Sequence, residues 1–310
     1  MSAPNANHKK RVNPDPAAER PNTKRKQGMA LVLTSMLLFA VYDALSKYLA
    51  RHYPVPELLW VRYVTHAVLM LALFGPRMRT GLLKTSRPGL QIVRALLLVA
   101  VTYLFMNGLR YIPLADATAI NFLAPLLVTA LSSPLLGEKI APRNWMAVIV
   151  GFLGVLIIVR PGGAALSWAV LFPLCSAICY SFYQIMTRKF QGLEHPVTTH
   201  FITGLVGLLV SSLAWQSAWL LPSMKDAVLM MCLGITTGVG HYLLIEAFQR
   251  MSPAMAAPLT YTHLVWAVLF GTLAFGEIPD VGSLFGILII AGSGIYIARH
   301  QGKKPTPANR

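Results

Sequence analysis

Apolar residues in this chain gather into ten long runs separated by short polar segments, at roughly 29–50, 57–75, 90–110, 115–136, 144–160, 166–187, 198–221, 227–248, 255–275 and 282–298. Each run comes close to the about 20 residues that carry an α-helix across the hydrocarbon core of a bilayer. Inside that core no water satisfies backbone N–H and C=O groups, so a spanning segment must bond within itself or close into a barrel. Unbroken apolar runs of this length suit the helix. The pattern predicts an all-α integral membrane protein with ten transmembrane helices.

Polar punctuation between the runs indicates that one unit is used twice. Asn107–Lys139 and Glu246–Ile278 both read as the polar end of a helix, a short loop with a proline, a long apolar run and then Gly-Glu. Gly137-Glu138 and Gly276-Glu277 recur 139 residues apart, close to half of the 310 residues, which is the mark of a duplicated unit. The reading divides the chain into a polar, basic tail at 1–28, one repeat at 29–160, a second at 161–299 and a short tail at 300–310. The first tail lacks the apolar core of a signal peptide and is expected to be disordered. Five spans per repeat is an odd number, so the second copy enters the membrane from the opposite side. Two inverted halves related by a pseudo-two-fold axis in the membrane plane are typical of secondary transporters.

Composition and charge sharpen this picture. Hydrophobic residues make up 55% of the chain, charged residues 12%, and the mean hydropathy is +0.57, whereas soluble domains carry about 25% charged residues. The net charge of +16 is distributed as in a membrane protein: twenty Lys and Arg fall in the tails and one alternate set of loops, four in the other set. Loops rich in Lys and Arg stay in the cytoplasm, so both termini are expected there, with the chain in a bacterial inner membrane. A nucleic-acid partner would need these charges on one face of a folded domain, and none is expected. Cys175, Cys179 and Cys232 lie inside apolar runs without zinc-type spacing, so neither metal nor cofactor is expected. Gly151/Gly154, Gly204/Gly207, Gly234/Gly238 and Gly282/Gly286 are small-residue pairs that let helices approach in lipid. Trp145, Trp168, Trp215 and Trp219 near span ends fit an aromatic belt.

Polar residues inside the spans are the candidates for function, because an intramembrane charge needs a partner or water. Asp43 and Lys47 lie one turn apart in span 1, on a stripe with Ser35, Tyr42 and Ser46. Arg62 sits at similar depth in span 2, followed by Thr65 and His66. An Asp43–Arg62 or Asp43–Lys47 clamp fastening helices 1 and 2 and a solute or proton site are equally open readings. Asp43 is the candidate for proton coupling, being the one carboxylate well inside a span. Asn121, Pro125, Thr129 and Ser132 share a face of span 4, and a mid-span proline frees a carbonyl for a bend or a cavity. Asn107 and Tyr103 stand near the end of span 3. In the second half, span 6 carries Ser176, Cys179, Tyr180, Tyr183, Gln184 and Thr187 on one stripe, span 8 carries His241, Tyr242 and Glu246, and span 9 carries Thr260, His263 and Trp266. A lone histidine on an apolar helix is more often a packing residue, but two beside Tyr, Gln and Trp favour a cavity. Such walls suit a planar or aromatic solute that they can stack. Glu138 and Glu277 after span-ending glycines are read as structural.

The runs ending LLGEK (Leu135–Lys139) and AFGEI (Ala274–Ile278), with PELLWVR at Pro56–Arg62, resemble the EamA domain of the drug/metabolite transporter superfamily. The resemblance covers about 29–160 and 166–298, the whole membrane part. It implies ten helices in two inverted five-helix EamA repeats, a central solute cavity and transport without ATP, in keeping with the lack of a phosphate-binding G-x-x-x-x-G-K-[ST] loop. YDALSKYL (Tyr42–Leu49) followed by YPVPELLWVRY (Tyr53–Tyr63) is similar to members that take up riboflavin or S-adenosylmethionine, and riboflavin is the favoured solute. An amino-acid or drug carrier, exporters included, stands as the alternative. Pro125 aligns with Leu264 and Arg62 with Ile202, so the two half-sites are not equivalent.

Other classes fit less well. An enzyme would need acid/base or metal clusters, and nearly all of the eleven Asp and Glu lie in tails or loops. A channel would repeat its pore-lining charges around an axis, and Asp43 has no acidic counterpart in the second half.

Overall fold

The computed structural model describes residues 16–137, 140–160, 168–190, 193–213 and 219–301. Among them the regular structure is wholly helical: α1 (Pro16–Ala50), α2 (Val55–Met78), α3 (Pro88–Leu109), α4 (Leu114–Asn121), α5 (Ala124–Leu136), α6 (Pro142–Val159), α7 (Leu171–Phe190), α8 (Pro196–Leu213), α9 (Met224–Arg250), α10 (Pro253–Thr260), α11 (Thr262–Phe275) and α12 (Val281–Gln301), with short 3-10 turns at Arg79–Leu83 and Trp168–Val170. Ten segments are long and apolar enough to cross a membrane, α4 with α5 and α10 with α11 each making one span.

These spans fall where the hydrophobic pattern puts them, with three differences. The first helix starts at Pro16, so 16–28 is helical where a disordered tail was expected. Lys24, Arg25, Lys26 and Gln27 are good helix formers, and extending an existing helix through them needs no new nucleus. The seventh span, described as helix over Pro196–Leu213, does not reach 221, since Trp219–Ser223 is irregular. Leu221 precedes Pro222, which disfavours helical backbone there. The third difference is that spans 4 and 9 are both broken. Pro125 has no N–H, so the Asn121 carbonyl loses its helical donor, and α4 gives way to α5 at Phe122-Leu123. In span 9 the break falls at Tyr261, one turn after Pro258.

Helix pairing repeats the duplication. The most extensive packing joins opposite halves: α1 on α9 has its mate in α7 on α3, α2 on α9 in α8 on α3, and α1 on α11 in α7 on α5. The pairs α2/α8 and α6/α12 are their own mates. This is what a two-fold relation between spans 1–5 and 6–10 requires. The helix ends repeat too: Gly137 after α5 and Gly276 after α11 are both left-handed, with φ of 68° and 67°. Only glycine takes that conformation without cost. Glu138 and Trp215 lie outside the described residues. Trp145 marks one end of the bundle, and Trp168 with the Trp60–Trp219 edge-to-face pair marks the other.

The paired glycines lie at helix crossings. A Cβ on Gly234 would stand 2.6 Å from the Arg62 carbonyl oxygen, one on Gly204 2.7 Å from the His66 ring, and one on Gly154 3.0 Å from the Gly286 carbonyl oxygen. In lipid, burial gives helices no reason to associate, so such close approach supplies the packing. Here it presses α8 and α9 against the face of α2 that carries Arg62 and His66.

Candidate functional site

At the end of the bundle where α1 finishes, Glu277 holds the two halves together. The left-handed turn at Gly276 sends the chain back, and the Glu277 N–H bonds to the Gly271 carbonyl at 3.0 Å. Its carboxylate then accepts from the Leu114 N–H at the start of α4 at 2.9 Å, where an anion also meets the positive end of the helix dipole. Lys47 lies 2.8 Å and Arg51 3.1 Å from the same carboxylate. Lys47, 1% exposed, also donates to the Ile112 carbonyl at 2.6 Å. Every donor to the Glu277 carboxylate comes from the first half, in keeping with a structural role for Glu277.

Asp43 turns out to face the second half as well. Its Oδ2 stands 3.0 Å from His263 Nε2 on α11, the side chain 6% exposed. The expected Asp43–Arg62 and Asp43–Lys47 clamps are therefore corrected: among the described residues, Asp43 forms an ion pair with neither. Lys47 is taken by Glu277, and Arg62 is turned toward α3 and α9. Around the Asp43–His263 pair, Phe39 packs on both His263 and His241, at 6.5 and 4.8 Å between ring centroids. Phe122, at the break in span 4, lies 5.8 Å from His263 and 5.0 Å from Tyr261, the residue at the break in span 9. The two discontinuities thus meet at this pair.

A second polar group adjoins the first. His241 donates from Nδ1 to the Thr237 carbonyl at 2.8 Å and stacks on His200 at 4.9 Å, which meets His66 edge-on at 4.4 Å. Two buried arginines flank this trio. Arg62 donates to Thr237 and Thr102 hydroxyls at 3.4 and 3.2 Å and lies over the rings of Tyr42 and Tyr63 at 5.2 and 4.7 Å. Arg94 donates to Thr187 at 3.3 Å, to the Thr199 carbonyl at 2.8 Å and to Thr203, and lies 4.9 Å over Tyr183. Neither guanidinium has a carboxylate within ion-pair distance among the described residues.

The remaining sequence candidates divide. Tyr183 joins the cluster through Arg94 and stacks on Tyr180 at 5.7 Å. Gln184 is half-buried beside it on α7. Asn121 ends α4 at the break and accepts from Ser176 at 3.0 Å, joining span 4 to span 6. Trp266 stacks on Phe270 at 6.2 Å along α11. Asn107 bonds back to its own helix at Tyr103 O, 2.8 Å away, and Tyr103 is exposed on the outer surface, so these two lie apart from the cluster. Sequence reading did not single out Arg94 or His200. Both lie inside apolar runs, Arg94 in span 3 and His200 near the start of span 7.

At the opposite end, Glu194 between α7 and α8 accepts from the Thr85 hydroxyl and Ser86 N–H, each at 2.8 Å, the Ser86 hydroxyl at 2.9 Å and Gln91 at 3.5 Å. Partial burial pushes this carboxyl up, but the hydrogen bonds outweigh it and hold the pKa below the ordinary value of 4.5. Among the described residues no cluster of His, Cys, Asp and Glu could hold a metal ion.

Ten spans in two inverted halves, with broken helices meeting at a buried polar cluster, define a multi-pass membrane transporter. The EamA-like transporter family matches residues 26–160 and 167–299, one match per half, and the chain belongs to that family. An S-adenosylmethionine uptake transporter of Rickettsia bellii is 29% identical over 89% of this chain and 94% of its own length. A riboflavin transporter of Vibrio cholerae is 26% identical over 90% and 95%. The pseudopaline exporter CntI of Pseudomonas aeruginosa is 26% identical over 88% and 96%. A solved crystal structure, 18% identical, matches 89% of this chain and 99% of its own with a TM-score of 0.62, which shows the fold.

Proposed function

We propose that this protein is a secondary transporter that imports a small metabolite with a planar ring system by alternating access. The observation that carries the reading is the junction of both broken spans at the Asp43–His263 pair, walled by Phe39, Phe122 and Tyr261. A site at the interface of inverted halves is exposed to each side in turn as the halves rock. Riboflavin, the solute favoured from the sequence, and S-adenosylmethionine, named for the Rickettsia relative, both carry a ring that these walls can stack. Asp43 serves as the proton-coupling carboxylate, paired with His263; Arg62, Tyr183, Gln184, His241 and Trp266 contact or position solute. Lys47 belongs to the tie at Glu277, Asn121 to the break, and Asn107 supports the end of α3. The twenty-to-four distribution of Lys and Arg supports cytoplasmic termini in a bacterial inner membrane.

The test is uptake into proteoliposomes holding the full chain, with labelled riboflavin and labelled S-adenosylmethionine supplied separately under an imposed proton gradient. Saturable uptake of either, accelerated by an acidic exterior, is expected. Asp43→Asn is expected to abolish net uptake with an unchanged yield of folded protein; normal uptake by that variant removes the coupling role. Absence of uptake together with efflux from loaded vesicles reverses the assigned direction, the activity named for the Pseudomonas relative.

A further inference from the structure

We propose that Arg62 and Arg94 are the recognition elements for an anionic group, a carboxylate or a phosphate, on the transported solute. The inference deepens the transporter reading and rests on it. It starts from the balance of charge inside the spans. Lys47 has the Glu277 carboxylate and Asp43 lies beside His263, while Arg62 and Arg94, 6% and 2% exposed, meet among the described residues only hydroxyls, one backbone carbonyl and tyrosine rings. A buried cation held only by neutral groups still lacks the counter-charge that offsets its desolvation, and an arginine stays charged. Arg94 Nε and the Nε2 atoms of His66 and His200 make no hydrogen bond among the described residues, so this group also holds unspent polar atoms.

The placement of the two arginines follows the pseudo-two-fold. Arg62 reaches from α2 to Thr237 of α9, and Arg94 reaches from α3 to Thr203 of α8, across interfaces that are mates in the duplicated fold. Arg62 lies about two turns from the end where α1 finishes, Arg94 about two turns from the opposite end. Beside them stands the His66–His200–His241 trio, its first pair edge-on and its second stacked. One guanidinium thus stands toward each end of the bundle, and in the proposed cycle an anion is met by a fixed positive charge whichever side is open. The planar fork of arginine pairs bidentately with carboxylate or phosphate, and the tyrosine and threonine contacts hold each fork in one orientation. The geometry selects a solute that combines a ring with an oxyanion: S-adenosylmethionine has an α-carboxylate, while riboflavin carries none.

The decisive probes are pairs that differ only in the anion: S-adenosylmethionine against its decarboxylated form, and flavin mononucleotide against riboflavin. In proteoliposomes, the member of at least one pair that carries the carboxylate or phosphate is expected to be taken up about tenfold or more better than the member lacking it, the effect of a charge-assisted bond. Arg94→Gln and Arg62→Gln are expected to bring the pair to equal uptake, and Arg94→Lys to restore part of the preference. Equal uptake of both members by the unaltered chain, or preference undiminished in either glutamine variant, overturns the proposal. If none of the four is transported, the ring-solute reading fails on its own. The anion site is then read from succinate, which is expected to raise the melting temperature of the solubilised full chain above that in sodium chloride of equal ionic strength, with the rise lost in Arg94→Lys/Arg62→Lys less than in the glutamine variants. No succinate-specific rise overturns the anion site as well.

Discussion

Lys47 is the residue whose position says most about what a charge needs inside a membrane protein. It is 1% exposed, and its ammonium is held by Glu277 and the Ile112 carbonyl. Removing one partner of a buried pair leaves the other charge uncompensated, at a cost of about 3–5 kcal/mol. Glu277→Gln is therefore expected to destabilise the protein strongly in detergent thermal melts, and Lys47→Met/Glu277→Leu to melt above the Glu277→Gln single variant. A double variant melting below the single one would show that the two side chains do not act as a pair. The contrast with Asp43 is instructive. It sits one turn before Lys47 on α1, yet its neighbour at 3.0 Å is a histidine of the second half.

Among the elements, glycine contacts and proline breaks govern where these side chains meet. Because a Cβ on Gly234 would stand 2.6 Å from the Arg62 carbonyl oxygen, which is backbone and cannot rotate away, Gly234→Leu must push α9 off α2. Its expected outcome is a melting temperature lowered by several degrees and a loss of transport; a stable, active Gly234→Leu protein would contradict this packing. The α2–α3 and α7–α8 connections meet at Glu194, whose carboxyl sits below its ordinary 4.5. A depressed carboxyl contributes stability above its unfolded pKa and loses it as pH falls through the folded value. Stability from this tie is thus expected to be complete at neutral pH and to fade only below about pH 4.5. Comparing melts of the unaltered chain and Glu194→Gln across that range checks it: the gap between them narrows on acidification if the tie acts as described.

For the whole molecule, both ends of the bundle carry a tie between halves, Glu277 with Lys47 at one and Glu194 with Gln91 and its neighbours at the other. Rocking of the halves requires each tie to open in turn. In a chain whose Cys175, Cys179 and Cys232 are replaced by serine, linking Cys residues placed at 47 and 277 with a short bifunctional reagent should stop transport. Linking 91 and 194 should do the same from the opposite side, and a cleavable linker should return activity on reduction. Undiminished transport with either link in place would exclude alternating access around this interface. The pairing of α1 with α9 and of α7 with α3, mates across the two-fold, places the surface that both ties cross between the halves and not within either one.

The sequence by itself determined the ten spans, the duplication, its inversion and the family. These follow from run lengths matched to bilayer thickness, from an odd span count and from a period of 139 residues, all of which are local or countable. It also marked most of the polar positions, Asp43, Arg62, His241 and His263 among them, because a polar residue is conspicuous in an apolar run. Only the tertiary structure decided which of them meet. That Asp43 faces His263 across the two halves, that Lys47 belongs to Glu277, and that Arg94 and His200 join Arg62 depend on helix rotation and crossing. Those are set by where glycines let backbones touch and where Pro125 and Tyr261 interrupt the spans, contacts between segments far apart in the chain that no local pattern encodes.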